Sequence, residues 1–114
     1  MFRYDLVDET INQIVSVFHP NKIIIFGSVA RNSAHDESDL DILVVMNSEL
    51  KPTKRAEEVY KATSSIDLPM DIIVLTPEEY EANKDNPYSF ASVISKTGIV
   101  AYESDSIETD LIDF

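Results

Sequence analysis

The sequence predicts a mixed α/β (α+β) fold, in which a mixed β-sheet is flanked by helices. Three observations predict it. The apolar run at residues 23–26 and the strand-like segments 39–46 and 70–75, each carrying an acid at or near its head, read as strands, helical spacing fills the segments around them, and the link lengths require one antiparallel and one parallel strand pair. At 114 residues the chain is expected to form one domain over 1–114, with a core that needs no staples and no disulfides, since it has no cysteine.

Val7, Ile11, Ile14, Val15 and Phe18 recur at the spacing of a helix, and His19-Pro20-Asn21 stops the pattern. Ile23 to Phe26 is unbroken apolar sequence, as expected of a central strand covered on both faces, and it ends at Gly27. A short helical start at Ser28 to Arg31 runs through the polar NSAHDES to a second strand, Asp39 to Met46. There Leu40, Ile42, Val44 and Met46 share one face, and Asp39, Asp41, Leu43 and Val45 the other. A helix over about 53–65 follows, with Ala56, Val59, Tyr60 and Ala62 as inner positions. The third strand, Met70 to Leu75, opens with Asp71.

Thr76-Pro77-Glu78-Glu79 has the form of a capping box and predicts a short helix to about Asn83. Asn86-Pro87 predicts the start of another helix, with Phe90, Val93 and Ile94 inward and Gly98 as its stop; Ile99 to Tyr102 reads as a last strand. From about 103 to 114 the acidic ESDSIETDLIDF reads as a flexible tail, and its Ile107, Leu111, Ile112 and Phe114 leave docking on a partner open.

Topology follows from the links. Between Gly27 and Asp39 there is too little chain for a helical crossover, so the first two strands are expected to be antiparallel, with Gly27 and Asp39 at one end. The link to the third strand suits a right-handed helical crossover. Those two strands are then parallel, and Asp71 joins the same end.

Composition narrows the function classes. A formal charge of −12, from 21 acidic against 9 basic residues, argues against a surface that grips nucleic acid and suits a basic protein partner. The one basic cluster, Lys51, Lys54 and Arg55, reads as a solvated helix face, with a partner contact as the alternative. No apolar stretch reaches the roughly 20 residues that span a bilayer, and the N-terminus lacks the plan of a signal peptide, so a cytoplasmic protein with no membrane contact is expected.

The chemistry sits in GSVARNSAHDESDLD, residues 27–41. A glycine turn lets backbone N–H groups approach phosphate oxygens, and Asp39 and Asp41, on one face of a strand, can hold a divalent metal beside them. Their Cα atoms are roughly 6.6 Å apart along a strand. At an effective dielectric near 20 their repulsion is on the order of 2–3 kcal/mol, and Asp71 adds to it. Such a cluster calls for metal, cationic partners or open solvent, and Mg²⁺, which takes carboxylate, phosphate and water oxygens, is the natural ion.

Each part alone has a plain structural reading. Gly27 can simply close a strand, Ser28 can cap the next helix, Asp-x-Asp can be a solvated face, and Asp67 competes with Asp71. The joint spacing and shared strand end favour a nucleotide-metal site. Arg31, one turn beyond Ser28, either reaches a phosphate or pairs with Asp36 or Glu37. His19 and His35 are not spaced as a metal pair, and the five tyrosines are scattered like packing residues.

Gly27-Ser28, the Asp39-x-Asp41 pair and the later strand acid Asp71 in MDIIVL resemble the minimal nucleotidyltransferases of the DNA polymerase β-like superfamily. The context GSVARN…SDLDILV is close to the antitoxin branch, whose members neutralise HEPN-domain toxins. The resemblance implies a nucleotidyltransferase fold using Mg²⁺ and ATP. Gly27 and Ser28 would position the triphosphate, with Arg31 as a secondary contact; Asp39 and Asp41 would bind two metal ions, and Asp71 would complete the site on the nucleophile side. The implied activity is AMP transfer to a hydroxyl, expected to be a tyrosine, of a cognate HEPN RNase toxin. After the core the chain has room for only short elements, so the acceptor is expected to be held in trans. A non-catalytic antitoxin that acts by binding, and a nucleotidyltransferase for an aminoglycoside-like alcohol, are the alternatives.

Overall fold

The computed structural model describes residues 2–104. The predicted acidic tail falls largely at 105–114, outside the described residues, but its first residue does not belong to a tail: Glu103 is the last residue of a strand, where it pairs with Lys22 at 3.2 Å. The order of elements is α1 (Tyr4–Phe18), β1 (Lys22–Phe26), α2 (Gly27–Ala30), β2 (Leu40–Val45), α3 (Pro52–Ala62), β3 (Met70–Leu75), α4 (Pro77–Asn83), α5 (Phe90–Thr97) and β4 (Ile99–Glu103).

The four strands form one mixed sheet in the order β3-β2-β1-β4. β1 is antiparallel to β2, with Phe26 opposite Asp41, and antiparallel to β4; β2 and β3 are parallel, with Asp41 opposite Asp71. The loop-length reasoning is thus met on both counts: no crossover fits between β1 and β2, and α3 forms the crossover between β2 and β3.

Strand alternation divides the core into two layers. Ile23, Ile25, Leu40, Ile42, Val44, Ile72 and Val74 face Val7, Ile11 and Ile14 of α1 and Val59 of α3. On the other face Ile24, Leu43 and Val45 meet Tyr80 of α4 and Ala91 and Ile94 of α5. Helix α1 ends where His19 takes a left-handed conformation, φ 49°, and its N–H bonds back to the Val15 carbonyl. Helix α4 has the predicted capping box: the Thr76 hydroxyl accepts from Glu79 N–H, and the Glu79 carboxylate accepts from Thr76 N–H. Among the described residues no helix is long and apolar enough to cross a membrane.

Several expectations need correction. Helix α5 starts at Phe90 behind a Ser89 cap rather than at Asn86-Pro87, and its inner residues are Ala91, Ser92 and Ile94. Phe90 is 77 % exposed and Val93 54 %. The helix lies close on β1: a Cβ at Gly98, its stop, would stand 2.5 Å from Ile24 Cγ2, so small residues rather than aromatic ones fill the contact.

The basic cluster is likewise not a uniform solvated face. Arg55 is 7 % exposed, donating to the Leu50 carbonyl at 2.7 Å and to Glu79 at 2.7 Å, while Lys51 and Lys54 stay exposed. Tyr60 is 40 % exposed rather than a core residue, and Tyr88, at 96 %, packs on almost nothing.

Candidate active site

The end of the sheet that carries Gly27, Asp41 and Asp71 is built by backbone geometry first. β1 stops at Gly27, which takes a positive φ of 71° and opens the single turn of α2. A side chain there would be strained by the positive φ and would also push against the Asp41 carboxylate, so glycine is favoured on both counts. The first N–H groups of a helix have no partner within it, and at α2 these are the groups beside Asp41.

Antiparallel pairing sets Asp41 opposite Phe26, one residue before that turn, and parallel pairing sets Asp71 opposite Asp41. Asp39 lies one residue ahead of β2 rather than inside it. Asp41 is half-buried, whereas Asp39 and Asp71 are exposed. None of the three carboxylates has a hydrogen bond or ion pair to another described residue, so their oxygens remain available to an outside cation.

Their electrostatics reflect this crowding. Burial, then the negative charges of Asp71 and Asp39, push the Asp41 carboxyl above its ordinary range; Arg31 opposes them. All four residues therefore share one field. Arg31 is exposed, forms no ion pair with Asp36 or Glu37 among the described residues, and acts on Asp41 through its charge. Asp67 belongs elsewhere, its charge acting on Arg3 before α1.

Among the described residues no three acidic or histidine groups close into a metal cage by themselves. The donor set nevertheless fits Mg²⁺, which is commonly held by one or two carboxylates and completed by substrate phosphate and water. Ser28 leaves its hydroxyl unengaged while its carbonyl accepts from Ser33, so the turn is held by backbone and the hydroxyl faces no competing partner among the described residues. Phe26 and Ile73, partly buried on the same sheet face as Asp41, extend the acidic end into an apolar floor.

One contributor carries no signal in the sequence. The Tyr60 hydroxyl accepts from Ile72 N–H at 2.9 Å and donates to the Met70 carbonyl at 3.3 Å, on either side of Asp71. Its helical position marked an inward ring but carried no signal for the bonds.

A family model described as "Polymerase beta, Nucleotidyltransferase" matches residues 9–107, and the chain belongs to that family. It is 33 % identical over 54 residues to a Methanocaldococcus jannaschii protein named "Putative protein adenylyltransferase"; the match covers 47 % of this chain and 54 % of that protein, so it spans about half the relative's length. Among solved structures it resembles a "putative nucleotidyltransferase" from Sulfolobus solfataricus, with a TM-score of 0.63 and 26 % identity over 89 % of this chain and 80 % of the other. A toxin-antitoxin solved with AMP-PNP shares the fold at a TM-score of 0.58 and 16 % identity, covering 95 % of this chain and 79 % of that one. A mutant of the toxin-antitoxin MntA-HpeT does so at 0.57 and 16 %, covering 90 % and 76 %.

Proposed function

We propose that this nucleotidyltransferase-family chain transfers AMP from ATP to a hydroxyl of a partner protein, a tyrosine of a cognate HEPN-domain RNase toxin, and thereby acts as an antitoxin. The observation that carries the reading is the meeting of a positive-φ glycine turn with Asp41, in register with Asp71, at one sheet end. The relative named for protein adenylylation supports a protein acceptor, and the toxin-antitoxin neighbour with AMP-PNP supports a toxin partner and an adenine nucleotide.

In this reading the backbone at Gly27 and Ser28 cradles the triphosphate, with Arg31 as an added cationic contact. Asp39 and Asp41 would hold two Mg²⁺ ions, and Asp71 would complete the site on the nucleophile side. Such ions would supply positive charge where negative charge develops in the transfer. The acceptor oxygen bonds to the α-phosphorus, the bond to the β-phosphate oxygen breaks, pyrophosphate leaves and the hydroxyl proton passes to water. A positive partner would offset the burial and like-charge repulsion that raise the Asp41 carboxyl above its ordinary range.

The test is incubation of the purified protein with α-labelled ATP, Mg²⁺ and the product of the neighbouring gene as the candidate toxin. Label is expected on the toxin, and is expected to vanish with Asp41→Ala. Full neutralisation by Asp39→Ala and Asp41→Ala without label would replace catalysis by binding alone. That second reading has one observation in its favour, the exposed apolar group Tyr88, Phe90 and Val93, which offers a contact surface unrelated to the acids.

A further inference from the structure

We infer that Tyr60 is a positioning residue for Asp71: its hydroxyl fixes the two peptide units on either side of that acid and so sets the direction of the carboxylate. The inference rests on the proposed metal-nucleotide reading of the acidic site. β3 is an edge strand of the sheet, with β2 on one side only. Leu40 N–H bonds to the Pro69 carbonyl and Met46 N–H to the Leu75 carbonyl, so the odd-numbered residues of β3 direct their backbone groups at β2. The even-numbered ones point outward, where no further strand receives them.

Tyr60, on the crossover helix α3, takes the place of that missing strand. It donates to the Met70 carbonyl and accepts from Ile72 N–H. The Met70 carbonyl belongs to the peptide before Asp71, and Ile72 N–H to the peptide after it. One hydroxyl therefore restrains both rotations about the Asp71 Cα, and with them the path of its Cβ. Asp71 is itself exposed and has no side-chain partner among the described residues, so its aim comes from the backbone. An edge strand opposite the half-buried Asp41 would otherwise fray, because exposed edges open at low free-energy cost.

The test compares Tyr60→Phe with Thr63→Val. Both remove a hydroxyl from the end of α3, but the Thr63 hydroxyl bonds only to carbonyls of its own helix, at Val59 and Tyr60. Amide exchange at Ile72 and affinity for Mn²⁺, by water-proton relaxation, are measured without nucleotide or partner. In Tyr60→Phe the Ile72 amide is expected to exchange faster and the Mn²⁺ dissociation constant to rise by about tenfold, the scale of a lost outer-shell contact. Thr63→Val is expected to change neither. Wild-type Mn²⁺ affinity in Tyr60→Phe, or an equal loss in Thr63→Val, would overturn the inference while leaving the metal site standing. If the wild type bound Mn²⁺ no better than Asp41→Asn, the metal reading itself would fall and this inference with it.

Discussion

At Gly27 two constraints act on one backbone position: a φ of 71° and the adjacent Asp41 carboxylate. Gly27→Ala is expected to cost about 1–3 kcal/mol, the range for a strained backbone position, and to push Asp41 out of line. Thermal unfolding checks the first effect and AMP transfer the second. Asp41 supplies a prediction of opposite sign. Because its folded pKa is raised, the native state binds the extra proton between the unfolded value, 3.8, and the raised one, so its charge opposes folding above that window. Asp41→Asn should therefore raise the melting temperature near neutral pH, and the gain should fade as pH falls through the window to below 3.8. Stability curves at several pH values test this, and Mg²⁺ should stabilise the wild type but not the variant.

Among the elements, the start of α4 depends on one carboxylate shared by two others. Glu79 Oε1 accepts both Thr76 N–H and Arg55, whose other bond holds the Leu50 carbonyl ahead of α3. Thr76→Ala is expected to cost about 1 kcal/mol as a lost cap. Arg55→Met should cost about 1–3 kcal/mol, held below the value for a fully buried pair because Glu79 is partly exposed to water. Since both act on Glu79, the double variant should cost less than the sum in denaturant unfolding. Phe90→Ser, on the outer face of α5, should change stability by less than about 0.5 kcal/mol.

These helices also mark where sequence was legible. The strands, their directions and the α4 cap follow from alternation, link length and local hydrogen bonding, all of which are properties of neighbouring residues. Gly27, Asp41 and Asp71 were brought to one end by the same local logic. The phase of α5 was not legible, because its inner face is chosen by a close approach to β1 that favours Ala91 and Ser92 over Phe90 and Val93. Nor were Tyr60 and Arg55, since hydrogen bonds to residues 10 and 24 positions away leave no periodic trace.

Across the whole molecule the mixed sheet puts α1 and α3 on one face and α4 and α5 on the other, and leaves the acids at an end that both layers leave open. The charge of −12 adds a long-range field to that geometry. Association with a basic partner should therefore slow and weaken as salt rises, which rate measurements at graded ionic strength would register. The most direct measurement of the central claim is the intact mass of the partner toxin after exposure to a substoichiometric amount of this protein with ATP and Mg²⁺. Most of the toxin is expected to gain the mass of one or more adenylyl groups, and Asp39→Ala and Asp41→Ala are expected to leave it unmodified. Unchanged toxin mass with the wild type, alongside full neutralisation at equal stoichiometry, would contradict the claim.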